Sequence, residues 1–384
     1  MESHDVIIVG AGLAGLQTSC LLAERGYRVL LVDRKASLDH SIHTTGIFVR
    51  RTLEDFPLPE DCLGPPVRHV RLYSPARRRM DLSSPFDEFR VGRMGLLYQR
   101  FLNRSICRGV EWMPSTQFIE CSKVKGGGLA VRLDDRNGSH VVRSRYLVGA
   151  DGANSHVAGA LGLEKNREWI VGVEEVFENI PLDGPPRFHC FLDAEIAPGY
   201  LAWVVHDGEQ VHIGVGGYAA KFDPVKALKE FHASLDDILD LRAARLIERR
   251  SGRIPVGGVL RRIANAEGLL VGDAAGAVSP LTAGGLDPCM RLSGYAANTI
   301  SKYLQTGDPN ELALYSGDLF RARFVSRLFM RRAIATVNSS ALIELGCALF
   351  RLPGFYSIAW QVFFGRGSFP DLKDEPPREA FVYR

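Results

Sequence analysis

Apolar and polar positions follow two alternating periods along this chain, and their order predicts its elements. Val6-Ile7-Ile8-Val9 is a continuous apolar run, as in a strand covered on both faces of a parallel sheet. A glycine turn leads from it into an amphipathic helical pattern that runs to about Arg25 and closes at Gly26. Tyr27 to Val32 is the next apolar run. Residues 35–62 read as a polar loop followed by a mostly helical segment. Alternation over 67–73, a turn at Ser74-Pro75-Ala76 and a return over 80–82 predict a hairpin. Leu96, Leu97, Phe101 and Leu102 share one stripe of a helix over 94–108. Residues 110–148 read as a β-meander that ends in Tyr146-Leu147-Val148. Period two returns after residue 165, with strands over 169–177, 188–192, 201–205 and 211–215 in a mostly antiparallel sheet. Helices are predicted over 225–235 and 238–249. Leu269-Leu270-Val271 is a last buried strand, followed by a helix to about Gln305 and a helical stretch over 309–365. The fold class is α/β, with an α+β second domain.

Composition narrows this picture. The 384 residues are enough for two domains, and the 46% apolar share is that of an ordinary globular chain. A net charge of +3 is too small to imply a nucleic-acid partner. The seven cysteines are scattered, without a C-x-x-C pair, which points to a reducing compartment and a cytoplasmic location. The ten histidines show no metal-ligand spacing, so no metal is expected. No apolar run is long enough to cross a membrane, and the first strand starts too early to leave room for a signal peptide.

The chemistry begins at the first turn. Gly10, Gly12 and Gly15 form G-x-G-x-x-G between a strand and a helix, and Asp33 ends the next strand about twenty residues on. Gly10 makes the turn, Gly12 lets a pyrophosphate approach the backbone, and Gly15 lets helix and strand pack closely. The helix N-terminus turns free N–H groups and a positive dipole end toward the phosphates. An acid at position 33 favours an unphosphorylated ribose, as in NAD or FAD. The His40–Gly46 loop, with two histidines and two threonines, reads as a polar loop with satisfied hydroxyls. The Arg77-Arg78-Arg79 run reads as a solvated hairpin tip. Arg323, Arg327 and Arg331 stand four apart, as on one helix face. The aromatic stretch 345–364 leaves two readings, a packed cap or a cap that also rests on a membrane surface.

Two further motifs follow in order, Gly149-Ala150-Asp151-Gly152 and Gly272-Asp273. With these three motifs the chain resembles the FAD-dependent oxidoreductases with the p-hydroxybenzoate hydroxylase fold, and within them the geranylgeranyl reductase branch. The resemblance implies a Rossmann-like FAD-binding domain over 1–64, 88–164 and 262–308, a substrate-binding domain over 65–87 and 165–261, and a helical C-terminal region over 309–384. It implies that FAD is held by Gly10, Gly12, Ala14, Gly15, Asp33, Arg34, Thr45, Arg93, Asp151, Gly272, Asp273, Gly285 and Leu286. The segment from Ala197 to Trp203, followed by Val211 to Gly216, is similar to the reductase segment whose aromatics line a lipid cavity. It makes Tyr200 and Trp203, with Thr45, the candidates for catalysis; Tyr200 and Trp203 also read as plain core aromatics of a sheet. Thr45 stands where the archaeal reductases carry a cysteine.

The activity this implies is hydride transfer from reduced FAD to a C=C bond of a small apolar, isoprenoid-like or polyene substrate. A second G-x-G-x-x-G is absent from the sequence, so the electrons are expected from an external donor such as NAD(P)H or a ferredoxin. Two alternatives stay open. One is a flavin monooxygenase that hydroxylates or epoxidises an aromatic or polyene substrate. The other is a non-catalytic prenyl-binding protein on the FAD fold.

Overall fold

The apolar run at Val6–Val9 becomes the middle of a seven-stranded sheet. In the computed structural model, which describes residues 3–181 and 184–365, Ser3–Val9 lies between Val29–Val32 and Gly138–Gly149 and runs parallel to both. Glu111–Met113 adds a parallel strand outside Val29–Val32. Gly268–Leu270 adds another beside the last residues of Gly138–Gly149. The first half of that long strand pairs antiparallel with Leu129–Asp135, which pairs in turn with Gln117–Lys123. Ile7, Ile8, Leu30, Leu31, Leu147 and Val148 are fully buried, which is what a continuous apolar run specifies.

The helix after the glycine turn, Leu13–Ala23, is not amphipathic. Every residue from Leu13 to Leu22 is buried. The sheet covers one side, and helices Met94–Cys107 and Leu286–Thr306 cover the others. A helix enclosed this way has no solvent-facing polar side, and its Ser19 hydroxyl turns to the helix's own backbone, Ser19 Oγ donating to Leu16 O at 2.9 Å.

The second sheet also has seven strands, in the order Arg245–Pro255, Trp169–Glu178, Val211–Gly217, Ala202–His206, Arg187–Phe191, His69–Tyr73, Arg79–Ser83. All neighbours are antiparallel except Arg187–Phe191 and His69–Tyr73. The helix expected over 238–249 is absent. Helix Pro224–Ala233 is followed by turns and then by the edge strand Arg245–Pro255. The reason lies in period two: Glu248, Arg250, Gly252 and Ile254 are half-buried, and Arg249, Ser251 and Arg253 between them are exposed. Cross-strand pairs fix the register, with Arg249 on Glu175 at 2.8 Å and Arg245 on Glu178.

The arginine run at the hairpin is solvated at Arg78 and Arg79, which are exposed, but Arg77 turns inward. Arg77 Nη2 donates to Ser234 Oγ at 2.5 Å and its guanidinium covers the Phe191 ring. Arg78 pairs with Glu344 at 3.6 Å and Arg79 with Asp237 at 3.6 Å. The run joins the hairpin to neighbouring elements.

The C-terminal part is helical, over Asn310–Ala313, Gly317–Ala322, Val325–Thr336, Ser340–Phe350 and Pro353–Phe364. Its first half completes the core of the first sheet: Leu312, Tyr315, Phe320, Phe324 and Leu328 are buried there, and Tyr315 donates to Leu270 O at 2.7 Å. Its last helix packs Ala359 and Phe364 on the hairpin side of the second sheet. The three spaced arginines do not share one face. Arg323 closes Gly317–Ala322, whereas Arg327 and Arg331 belong to Val325–Thr336 and turn inward. No single described helix is long and apolar enough to cross a membrane, although Ser340–Phe350 and Gly354–Phe364 qualify by length and composition as a pair bent by 102°.

Candidate cofactor and substrate site

The glycine turn is built by close approach. A Cβ on Gly15 would lie 1.8 Å from Gly10 O, and one on Gly10 would lie 2.3 Å from Ala150 O. Gly10 has φ +103°. These contacts bring together the first helix, the first strand and the Gly149–Gly152 turn. Gly12 faces open space, with nothing within 4 Å of where its Cβ would be. Asp33 leans over the same turn: its Oδ2 accepts the Ala11 N–H at 2.7 Å and its Oδ1 the Lys35 N–H at 2.8 Å. Arg34 beside it is exposed. Asp151 is used locally, accepting from Ser155 Oγ at 2.6 Å and from the His156 N–H at 2.7 Å, so it caps the helix His156–Ala160.

Gly272 brings the Gly-Asp motif to the same end. Its φ is +57°, and a Cβ on it would stand 2.8 Å from Ala14 Cβ. Asn166 Nδ2 donates to Asp273 O at 2.8 Å and to Ala153 O at 3.1 Å, tying this turn to the Asp151 turn. Burial raises the Asp273 carboxyl to about 6. Asp273 Oδ1 lies 3.4 Å from where a Cβ on Gly285 would be, and Gly285 opens the helix Leu286–Thr306. That helix is anchored away from the turn: Asp287 Oδ1 accepts from Thr52 Oγ1 at 2.9 Å and from Arg291 Nε at 3.0 Å, while Arg291 also reaches Asp55 at 2.6 Å. Ala283, just before the two glycines, has φ +54°, a strained conformation for a residue with a side chain.

The second sheet closes the site with aromatics on a glycine floor. Trp203 lies across its neighbour strand, where a Cβ on Gly214 would be 2.3 Å from the indole, and a Cβ on Gly216 would be 2.8 Å from Tyr200. The two rings meet edge to face at 6.5 Å. Tyr200 Oη donates to Thr282 O at 2.8 Å, joining the sheet to the loop before Gly285. Arg331, 2% exposed, stacks over Tyr200 and Tyr218. Arg327 Nη1 donates to Ser279 Oγ at 2.9 Å.

Beneath the indole is a polar knot that sequence reasoning missed. Glu174 is 4% exposed. Its Oε2 accepts from Trp203 Nε1 at 2.8 Å and from Thr45 Oγ1. Its Oε1 faces His212 Nδ1 at 3.0 Å and Arg250 Nη1 at 3.4 Å. His212 Nε2 faces Asp207 Oδ2 at 3.4 Å. Against the cost of burial, the two carboxylates raise the His212 imidazole to about 9, and the imidazolium and Arg250 hold the Glu174 carboxyl below its usual range. A signal was present: Ile170, Gly172, Glu174 and Val176 share one phase of the strand, which is inward. The misread strand Arg245–Pro255 holds the loop carrying Thr45, through Arg250 Nη1 to Thr44 O at 3.0 Å, Glu248 Oε1 to the Ile42 N–H at 3.2 Å, and Ser251 O to His43 Nδ1 at 2.9 Å.

Arg93, at the start of Met94–Cys107, pairs with Glu209 at 2.7 Å, and its Nε is buried without a hydrogen-bond partner. An orphaned donor there, the open face of Gly12 and the half-buried Asp273 carboxyl together fit a large polar dinucleotide.

A Rossmann unit with an open glycine turn, joined to an antiparallel sheet that supplies an aromatic wall, defines a flavin-dependent oxidoreductase of the p-hydroxybenzoate hydroxylase fold. The chain belongs to the FAD binding domain family, which it matches over residues 3–331, and FAD is its cofactor. It is similar to digeranylgeranylglycerophospholipid reductase 1 of Methanopyrus kandleri, 30% identical over 311 residues, covering 76% of this chain and 80% of that one. It is also similar to the geranylgeranyl diphosphate reductase of Rhodobacter capsulatus, 26% identical over 317 residues, covering 81% and 78%. Its fold matches the crystal structure of a geranylgeranyl bacteriochlorophyll reductase-like protein from Thermoplasma acidophilum, with a TM-score of 0.80, 20% identity and 90% of each chain covered.

Proposed function

We propose that the protein is an FAD-dependent reductase that adds two hydrogens across a C=C bond of an apolar, isoprenoid-like chain. The observation that carries this reading is the glycine-floored pair Tyr200 and Trp203, an apolar wall beside the Thr45 and Gly285 loops. The names of the reductase relatives support the substrate class. Reduced FAD, when bound, supplies the hydride, and water supplies the proton that completes the addition. The chain's own part is binding and orientation. Gly10, Gly12, Ala14 and Gly15 receive the pyrophosphate, Asp33 and Arg34 the adenosine ribose end, and Asp151 stiffens the turn beside it. Asp273 and Gly272 meet the ribityl chain, and Arg93, Thr45, Gly285 and Leu286 border the ring system. Tyr200 keeps its proton at Oη, because burial raises its phenol and Thr282 O accepts from it. The electrons come from an external donor such as NAD(P)H or a ferredoxin.

The reading includes a membrane contact. Leu342, Leu345, Leu349, Leu352, Phe355 and Ile358 are exposed on the bent C-terminal pair, a composition suited to the lipid interface from which a prenyl substrate would enter. The test of the whole reading is a single anaerobic turnover of the reduced FAD protein with prenyl and polyene lipids, read by product mass. Gain of two hydrogens is expected. Gain of an oxygen atom, only when air is admitted, would overturn the reductase in favour of a monooxygenase.

A further inference from the structure

The polar knot under Trp203 links groups that the chain brings from far apart. Glu174 Oε2 is a shared acceptor for a donor on the loop, Thr45 Oγ1, and a donor on the sheet, Trp203 Nε1. A buried carboxylate is tolerated only where its charge is matched, and here His212 and Arg250 face its other oxygen. The knot continues outward. Asp207, beyond His212, accepts the Glu209 and Gln210 N–H groups at 2.9 and 2.6 Å and so shapes the turn that presents Glu209. Glu209 holds Arg93. That turn is pressed against the first domain, since a Cβ on Gly64 would lie 2.0 Å from Asp207 O. The series Thr45, Glu174, His212, Asp207, Glu209, Arg93 therefore starts and ends on residues that border the proposed flavin site. It crosses the sheet that carries Trp203. Arg250 is shared, its Nε reaching Glu248 Oε2 at 2.8 Å and its Nη1 reaching Glu174 Oε1 at 3.4 Å, so His212 is the cation closest to the Glu174 carboxylate.

We propose that Glu174 is a positioning residue, whose single carboxylate fixes the substrate-facing indole of Trp203 relative to the flavin-side hydroxyl of Thr45. His212 and Arg250 hold it ionised for that purpose. The proposal rests on the substrate reading above for its functional meaning, but its geometry stands apart from it. An ion pair that served only to join strands would have no need of one oxygen shared by a loop hydroxyl and an aromatic wall. In the proposed arrangement, a change at either donor is felt at the other through that oxygen.

The test uses the full FAD-loaded chain with ¹⁵N-labelled tryptophan, the Trp203 indole N–H signal being identified by its loss in Trp203→Phe. A carboxylate acceptor places that signal at low field. Glu174→Gln should move it upfield. Thr45→Val should move it further downfield, because Oε2 then serves one donor instead of two. A signal unmoved in Thr45→Val overturns the proposal, and this variant removes no buried charge, so it guards against a Glu174→Gln chain that does not fold. A second arm reads turnover with all-trans geranylgeraniol as the probe. Thr45→Val and Trp203→Phe should each raise KM about tenfold with kcat held within about threefold. The double variant should cost less than the product of the two single effects; an effect equal to that product overturns the coupling. Absence of any geranylgeraniol turnover in the parent protein, with the indole shifts as expected, counts against the reductase reading and leaves the positioning role standing.

Discussion

His212 and Asp273 show how burial turns one side chain into a statement about pH. The folded protein binds the His212 proton more tightly than the unfolded chain does, up to about 9 against an ordinary 6.5. That stabilisation is complete below pH 6.5 and is lost as pH rises through about 9. His212→Gln leaves Glu174 and Asp207 facing a neutral group, at a cost of roughly 3 kcal/mol near neutral pH. The gap between the two proteins should narrow across that interval in denaturant titrations, and a constant gap would speak against a charged His212. Asp273 works the other way. Its carboxyl is raised to about 6 from 3.8, so the unfolded chain releases this proton first and the FAD-free protein loses stability as pH rises from 3.8 to about 6. Asp273→Asn should therefore stabilise the FAD-free protein at pH 7 by about 1–2 kcal/mol. The same variant should weaken FAD binding about tenfold if the carboxylate meets a ribityl hydroxyl. Melting curves with and without FAD read both effects.

At the scale of elements, the glycine floor is the feature most open to a single change. Gly214→Ala puts a methyl 2.3 Å from the indole of Trp203, with sheet backbone behind it, so the ring must move. The expected cost is about 1–3 kcal/mol of stability, read by urea midpoint, with a rise in KM for the apolar substrate. The strands of the two sheets show where sequence reading succeeds and where it stops. The first strand, its glycine turn and Asp33 are legible because their requirements are local: an apolar run, an open Cα and an acid at one spacing. Glu174 was not legible as a buried group. Its phase points inward, but a carboxylate in a strand reads as solvated unless its partners are known. Those partners come from residues 45, 203, 212 and 250. Arg250 lies in a stretch rich in Leu, Ala and Arg, whose helix propensity was overridden by pairing with Trp169–Glu178. The inward turn of Arg327 and Arg331 was hidden for a similar reason, since four-residue spacing gives a face but not what covers it.

For the whole molecule, the bent C-terminal pair has two sides with different duties. Tyr356 Oη and Trp360 Nε1 donate to Asp81 O and Ser83 O, at 3.3 and 3.1 Å, and so tie it to the second sheet. Leu342, Leu345 and Leu349 face outward. Leu345→Glu leaves the packed side alone and should lower recovery with anionic liposomes in flotation at least severalfold, with turnover of a detergent-dispersed substrate unchanged. Equal flotation of variant and parent would remove the membrane contact from the reading. The parallel pairing of His69–Tyr73 with Arg187–Phe191 has a consequence of another kind. The hairpin that contains His69–Tyr73 leaves the ribosome long before its neighbour exists, and the first sheet likewise waits for Gly268–Leu270 to cover the edge of Gly138–Gly149. Neither half can finish alone from the N-terminal part of the chain. The nascent protein must carry open strand edges through most of its synthesis, which makes chaperone demand and truncation sensitivity properties of this topology rather than of any one residue.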